Sequence, residues 1–252
     1  MNYKLRLMYD GTHYAGWQRQ QNAVTIQGQL EEALLVITRE APAVTGISRT
    51  DAGVHAADFT ANFHLTAPCD TARLCRGVNA LLPRDIRVIS CEPCAEEFSA
   101  RFDAVRKTYL YRMDISPYGN VFFRQYAWHL PYPLNLEKMQ QAAAHFLGCH
   151  DFSAFMAQGS SAKTFTREIT ESRLVQNGEI LEYYITGNGF LYNMVRIITG
   201  TLVAVGKGKL APEAVPEIIL SRDRTRAGMT APAKGLTLFK AIYNDAEPCD
   251  VY

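Results

Sequence analysis

The densest group of reactive side chains lies in residues 48–55, which read Ser-Arg-Thr-Asp-Ala-Gly-Val-His. Its one carboxylate, Asp51, stands two residues after Arg49 and four before His55. A loop that holds Asp51 beside the Arg49 guanidinium would keep the carboxylate ionised, as a nucleophile or general base requires. An Asp followed by Ala-Gly is also typical of an Asx turn that satisfies its own backbone. Both interpretations stay open on spacing alone.

A second candidate is a charged residue in an apolar context. Arg196 interrupts residues 194–198, Met-Val-Arg-Ile-Ile, about 200° around a helix from Met194. Because Val195 and Val203 lie near it, this side of the helix is also expected to be partly covered. A guanidinium there favours a carboxylate or phosphate partner, and the alternative is an arginine that extends to solvent.

Two tyrosines, Tyr109 and Tyr111, fall on one face of a predicted strand. Such tyrosines usually pack in a core. A face that carries aromatic rings is also able to stack against an unstacked nucleic-acid base.

The net charge limits how a nucleic acid would bind. The chain has 252 residues, 48% of them hydrophobic, with 26 Lys and Arg against 25 Asp and Glu, a formal net charge of +1. A polyanion must therefore meet a local basic surface rather than a global positive field. Four segments interleave basic residues with amides or aromatics, at 16–21, 101–107, 163–167 and 222–226.

Several function classes lack their signatures. Residues 206–209, Gly-Lys-Gly-Lys, have neither the leading glycine nor the trailing Ser or Thr of a P-loop. Cys91 and Cys94 have metal or redox spacing without a second Cys-x-x-Cys or a His pair, so a zinc or redox protein is the weaker alternative. No apolar run reaches the roughly 18 residues of a membrane span, and residues 1–6 do not resemble a signal peptide. We expect a cytoplasmic protein with no membrane association.

The elements that position these residues follow from hydrophobic periodicity. Alternation predicts strands over 3–9, 59–65, 86–89, 107–115 and 236–243, and Asn177-Gly178 predicts a hairpin between 173–175 and 180–185. Helical spacing predicts helices over 30–37, 136–146, 194–205 and 213–220, the second with Asn135 as its N-cap. The 59–65 strand is predicted to be amphipathic, with 59, 61, 63 and 65 inward.

These elements favour an α+β fold with a largely antiparallel sheet, because hairpins as well as crossovers connect the strands. We place a domain boundary near residue 104. Residues 1–104 form an N-terminal α+β domain with the Asp51 loop, and residues 105–252 form a C-terminal α+β domain. Both halves begin with a strand and then a helix, which suits a duplicated ferredoxin-like unit.

Six segments together resemble the tRNA pseudouridine synthase A family, in family order and over nearly the whole chain. They are 10–20 (DGTHYAGWQRQ), 49–55 (RTDAGVH), 78–83 (VNALLP), 107–111 (KTYLY), 189–196 (GFLYNMVR) and 231–236 (APAKGL). The resemblance implies the pseudouridine synthase fold, with two ferredoxin-like or RRM-like halves whose second half completes the active-site cleft. It implies isomerisation of uridine to pseudouridine at positions 38, 39 and 40 in the anticodon stem-loop of tRNA, with no metal and no organic cofactor. It also implies a homodimer whose basic cleft combines both subunits.

The resemblance also implies roles for four residues. Asp51 matches the essential aspartate, which attacks the flipped-out uridine at the ribose C1′ or the base, or assists glycosidic cleavage. Arg49 matches the arginine that helps to flip the base and takes its place in the stack. Tyr109 matches the tyrosine that packs on the target base, and Arg196 matches the arginine that pairs with the catalytic aspartate.

One position departs from the family pattern, since Ser48 stands where the family commonly has glycine. A serine hydroxyl there alters the loop or the RNA approach, so a paralogue that modifies another RNA remains an alternative. The other alternative is a non-catalytic RNA-binding protein of the same fold, against which the four intact site residues argue.

Overall fold

The computed structural model describes residues 1–160 and 162–244, in two compact units. The first unit comprises Met1–Val105 together with residues 237–244, and the second comprises Arg106–Leu236. The cysteines in the described part of the chain are all free thiols, so disulfides play no part in either unit there. Ser161 and residues 245–252, which include Cys249, lie outside the described residues.

Strands and helices are interspersed along the chain. In order they are β1 (Asn2–Tyr9), α1 (Ile26–Thr38), β2 (Thr45–Gly46), β3 (His55–His64), α2 (Thr71–Leu81), β4 (Ile86–Pro93), β5 (Arg106–Asp114), β6 (Trp128–His129), α3 (Leu136–Ala144), β7 (Gly148–Asp151), β8 (Thr166–Asn177), β9 (Ile180–Gly187), α4 (Met194–Gly206), α5 (Ala214–Ser221) and β10 (Leu236–Ile242). The predicted α+β class is confirmed.

In the first unit the strands lie in the order β4-β1-β3-β10, with β2 paired to β3. All of these pairs are antiparallel except β10 with β3. The β1–β3 register places Leu5 opposite Ala61 and Leu7 opposite Phe59, and all four side chains are buried. This burial confirms the period-two pattern of β1 and the inward-facing residues predicted for β3.

Strand β3 is not amphipathic, and here the prediction is wrong. Thr60 and Asn62, predicted to face solvent, are buried like Phe59. The Asn62 side chain donates to the Asn2 Oδ1 at 3.1 Å and accepts from the Ala100 amide at 2.9 Å. The second face of the strand is therefore covered, and its polar groups are satisfied by hydrogen bonds rather than by water.

Two helices of the first unit also depart from expectation. Helix α2 was not predicted, because its apolar stripe is short and only Leu74 and Val78 are buried. It begins at a regular N-cap, where the Asp70 side chain accepts from the amide of Arg73 at 3.0 Å. Helix α1 was predicted, but Ile37 in its last turn is 38% exposed rather than part of the core.

In the second unit the strands lie in the order β5-β9-β8-β7, all antiparallel, with the short β6 parallel to β5. The predicted hairpin is confirmed, since Asn177 pairs with Ile180 across the turn. The predicted N-cap is also confirmed, since the Asn135 side chain accepts from the Lys138 amide at 2.9 Å.

Helix α4 of the second unit is buried along most of its length. Segment 228–231 runs beside it and is fixed by two hydrogen bonds. The Gly228 amide donates to the Thr201 Oγ1 at 2.8 Å, and the Ala231 amide donates to the Arg196 carbonyl at 3.1 Å. This packing covers the helix on the side that carries Arg196.

Candidate active site

Asp51 lies on a tight turn between β2 and β3 in the first unit. Its carbonyl accepts from the Val54 amide at 3.1 Å, and Gly53 within the turn has φ +77°. A positive φ of this size favours glycine, so the Ala-Gly pair after the aspartate is explained by the turn. Asp51 is half-buried and Arg49, two residues earlier, is exposed.

The turn is tied on both sides of Asp51 to the loop before α1. The Trp17 amide donates to the Thr50 carbonyl at 3.1 Å, and the Gly53 amide donates to the Tyr14 carbonyl at 3.3 Å. Gly16 has φ +89°, and a Cβ there would lie 2.4 Å from the Thr50 carbonyl oxygen. The two loops therefore approach so closely that position 16 requires glycine.

A layer of three aromatic rings supports the same turn from the core. Trp17 stacks on Phe59 with ring centroids 4.1 Å apart, and Tyr9 lies 5.5 Å from Phe59. The Tyr9 hydroxyl is 2.8 Å from the Thr50 Oγ1, and both residues are buried. Thr50, the neighbour of Asp51, is thus bonded through its side chain as well as its carbonyl.

His55 also belongs to this framework. It is 4% exposed, and its Nδ1 lies 3.1 Å from the Gly11 amide nitrogen and 3.1 Å from the Asp10 Oδ1. Nδ1 is thereby engaged with the start of the loop that precedes α1. These contacts give His55 a bracing role at the end of the Asp51 turn.

Tyr109 lies on β5 in the second unit, opposite Ile185 of β9. Its ring is 6% exposed and packs against Phe190 in a T-shaped arrangement, with centroids 5.1 Å apart and an interplanar angle of 85°. This contact fixes the ring plane of Tyr109. Sequence reasoning missed Phe190 as a partner, although it lies in the segment that resembles the family.

Tyr111 shares a face of β5 with Tyr109 and is buried even more completely in the core. Its hydroxyl donates to the Pro232 carbonyl at 2.8 Å, and its ring is fully buried. Burial raises the pKa of Tyr111 far above its usual value, and the positive charge of Arg196 lowers it only partly. The hydroxyl therefore remains protonated and acts as a structural donor.

Arg196 lies in the first turn of α4 and is half-buried. Its Nε donates to the Ala231 carbonyl at 2.7 Å, and its Nη1 donates to the Asn193 Oδ1 at 2.7 Å. Asn193 precedes the helix with φ +59°. These contacts fix the guanidinium at the helix N-terminus, where the backbone amides add further positive potential. The predicted preference for a carboxylate or phosphate partner stays a prediction.

The structure thus brings Arg49 and Asp51 together on one turn of the first unit, whereas Tyr109 and Arg196 belong to the second unit. Sequence reasoning missed Tyr9 and Thr50 as supports of the Asp51 turn. Thr50 stands inside the motif, but no spacing rule connects it to Tyr9, which is 41 positions away.

Several arginines of the predicted basic segments are held in ion pairs. Arg19 pairs with Glu31 at 2.9 Å, Arg222 with Asp151 at 3.1 Å and Arg226 with Glu217 at 3.4 Å, and these arginine side chains are all substantially exposed. Exposed pairs of this kind contribute little to stability. They do reduce the positive potential that these segments offer to a polyanion.

The Cys91 and Cys94 thiols do not have the properties of reactive cysteines. Burial raises the pKa of Cys91 well above its usual value, and the neighbouring Cys75 raises it further. Burial also raises the pKa of Cys94. Protonated thiols are poor nucleophiles. Across residues 1–160 and 162–244, no three His, Cys, Asp or Glu side chains are grouped so as to hold a metal ion.

No helix in the described part of the chain is both long enough and apolar enough to cross a membrane.

Comparison with known proteins identifies the family. A family model described as tRNA pseudouridine synthase matches residues 142–244. The tRNA pseudouridine synthase A of Acetivibrio thermocellus is 46% identical over 242 residues, which cover 96% of this chain and 99% of the relative. The tRNA pseudouridine synthase A of Syntrophomonas wolfei is 46% identical over 240 residues, which cover 95% of this chain and 96% of the relative. The tRNA pseudouridine synthase A of Thermoanaerobacter sp. strain X514 is 44% identical over 242 residues, which cover 96% of this chain and 99% of the relative. The α+β architecture agrees with the fold expected from the resemblance. The chain belongs to the tRNA pseudouridine synthase A family.

Proposed function

We propose that this chain converts uridine to pseudouridine at positions 38, 39 and 40 of the anticodon stem-loop of tRNA, with Asp51 as its nucleophile. Family membership supports an isomerase that acts on tRNA. The observation that carries the assignment to Asp51 is the turn itself. It presents a half-buried carboxylate on a backbone that is tied at Thr50 and at Gly53.

The reaction suits a single carboxylate. It breaks the glycosidic bond between C1′ and N1, turns the uracil ring, and forms a bond between C1′ and C5. C5 loses its hydrogen and N1 gains one, so the composition and oxidation level of the nucleotide are unchanged. Asp51 attacks C1′ or the base, or assists glycosidic cleavage, and each route requires an ionised carboxylate in a fixed position.

The target uridine must leave the helical stack before its glycosidic bond is accessible, and this costs a few kcal/mol. We assign Arg49, Tyr109 and Arg196 to substrate binding. Arg49 is exposed beside Asp51, as an arginine that enters an RNA stack must be. The Phe190 contact defines the plane in which Tyr109 would meet a base. Arg196 offers a guanidinium whose Nε and Nη1 are already fixed.

The proposal includes a cytoplasmic homodimer that works without a metal or an organic cofactor. A dimer supports RNA binding because two copies double the local basic surface of a chain whose net charge is only +1.

The test is carbodiimide-based pseudouridine mapping of total RNA from cells with and without this protein. Loss of pseudouridine at positions 38, 39 and 40 of tRNA is the expected result. Loss at another RNA would identify a paralogue, as the serine at position 48 allows, and no change at any uridine would refute the enzyme assignment.

The role of Asp51 is tested with purified protein. Asp51→Asn should abolish pseudouridine formation in a tRNA transcript while tRNA affinity changes little, because the amide has the same shape but is not a nucleophile. Retained turnover with lost binding would show that Asp51 is a binding residue instead.

A further inference from the structure

We propose that Tyr9 and Thr50 are positioning residues for Asp51, and that the hydrogen bond between their hydroxyls sets the place of the carboxylate in the reaction. The inference rests on the proposed function of Asp51. It concerns how that residue is held, and it adds two side chains that the resemblance does not connect to catalysis.

Hydrogen bonds from both its side chain and its main chain converge on Thr50. Its Oγ1 lies 2.8 Å from the Tyr9 hydroxyl, and its carbonyl accepts from the Trp17 amide at 3.1 Å. Side chain and main chain are therefore both fixed in the residue next to Asp51. Because a peptide bond joins Thr50 to Asp51, a shift at Thr50 also displaces the start of the Asp51 backbone.

Tyr9, the hydrogen-bond partner of Thr50, is held rigidly. Tyr9 is the last residue of β1 and pairs with Ala56 of β3 and Ile86 of β4, so its backbone is held by strands on both sides. Its ring is packed against Phe59 and Trp17. The Tyr9 hydroxyl is thus an anchor that belongs to the sheet, whereas Thr50 belongs to a turn.

The stability of the fold alone does not require the Tyr9–Thr50 hydrogen bond. Replacing both partners of a buried hydrogen bond by apolar groups of the same shape is often nearly neutral. A Phe and Val pair would fill the same space. The hydrogen bond between the two hydroxyls also restricts the orientation of Thr50, because a hydrogen bond depends on the angle as well as the distance between its atoms. A turn that carries a nucleophile benefits from that restriction, since a misplacement of about 1 Å costs roughly 100-fold in rate.

The chain contains a matched control for the test. In the second unit, the Tyr183 hydroxyl lies 2.8 Å from the Ser172 Oγ, and both residues are buried. This pair has the same chemistry and the same distance as the Tyr9–Thr50 pair, but it joins β8 to β9. Tyr183→Phe therefore reports the general effect of losing one buried tyrosine hydroxyl.

The experiment compares Tyr9→Phe, Thr50→Val and Thr50→Ser with Tyr183→Phe in the full chain. Single-turnover pseudouridine formation at saturating tRNA, tRNA affinity and the midpoint of thermal unfolding are measured for each. We expect Tyr9→Phe and Thr50→Val to lower the single-turnover rate about 10-fold or more, with unchanged tRNA affinity. Thr50→Ser keeps the hydroxyl and should retain the wild-type rate. Tyr183→Phe should lower the unfolding midpoint as much as Tyr9→Phe does, yet keep the rate.

The double variant Tyr9→Phe with Thr50→Val should be no slower than the slower single variant, because both changes remove the same bond. The inference is overturned if Tyr9→Phe and Thr50→Val keep the wild-type rate, or if Thr50→Ser is as slow as Thr50→Val. It is also overturned if Tyr183→Phe lowers the rate equally. A wild-type protein that forms no pseudouridine, or an Asp51→Asn variant with wild-type turnover, would instead refute the proposed function.

Discussion

The close approach of two loops at Gly16 predicts a large and specific effect of adding one methyl group. Gly16→Ala places a Cβ 2.4 Å from the Thr50 carbonyl oxygen, whereas real Cβ contacts essentially never fall below 3.0 Å. A non-glycine residue at φ +89° also costs about 1–2 kcal/mol. Overlap with a backbone atom in a packed region adds about 1–3 kcal/mol. Together we expect a loss of about 3 kcal/mol in the free energy of unfolding.

Gly178→Ala is the control for the backbone contribution. Gly178 has φ +61° in the β8–β9 turn, and a Cβ there would meet no atom within 4 Å. Only the conformational cost of about 1–2 kcal/mol applies, so Gly178→Ala should be milder. Denaturant unfolding measures both variants, and the single-turnover rate of pseudouridine formation should fall for Gly16→Ala alone. Equal destabilisation by the two variants would refute the argument that the loop beside Asp51 is too close for a side chain.

Three further predictions test other parts of the structure. Asn62→Leu should lower the free energy of unfolding of the first unit by about 2 kcal/mol, because the buried Ala100 amide and the Asn2 side chain each lose a hydrogen-bond partner. Denaturant unfolding measures this loss, and an unchanged free energy of unfolding would contradict the structural role of Asn62. Burial raises the pKa of Asp114, but hydrogen bonds from Ser116 and the Asn120 amide outweigh it and hold the pKa below its usual value. The ionised Asp114 therefore stabilises the fold above its unfolded-state pKa, and this stability is lost as the pH falls through the lower folded pKa. As the pH is lowered below about 4, the midpoint of unfolding should fall less steeply in Asp114→Asn than in the wild type. Equal slopes in the two proteins would contradict this role of Asp114. Arg196→Lys should lower the single-turnover rate about tenfold, because an ammonium cannot reproduce the two fixed guanidinium contacts. A wild-type rate in this variant would show that Arg196 has no role in the reaction.

Periodicity was sufficient wherever the apolar residues repeat at the period of the element, whether one face is buried, as in β1, or most of the element, as in β5 and α4. β1, β5 and α4 were predicted because their apolar residues repeat at the period of the element, and the hairpin was predicted because Asn-Gly suits its turn. Helix α2 was missed because two buried side chains make too weak a stripe. The buried second face of β3 was missed because Asn62 is covered by a segment 36 residues further along the chain.

The candidate site shows the same division between local and distant information. Arg49 and Asp51 were selected from residue types within one short motif. The hydroxyl pair that supports their turn joins residues 41 positions apart, so composition and spacing gave no sign of it. A buried threonine between two charged residues becomes informative only when its partner is known.

The supports of the Asp51 turn extend from the aromatic layer into helix α1. The Ile26 amide donates to the Gly16 carbonyl at 3.2 Å, and the Gln27 amide donates to the Trp17 carbonyl at 3.0 Å. These are first-turn amides of α1, which have no acceptor within the helix. The helix therefore uses its free donors to hold the loop whose Trp17 amide holds Thr50. The place of the carboxylate thus depends jointly on the end of β1 and on the start of α1, both of which are fixed by the core of the first unit.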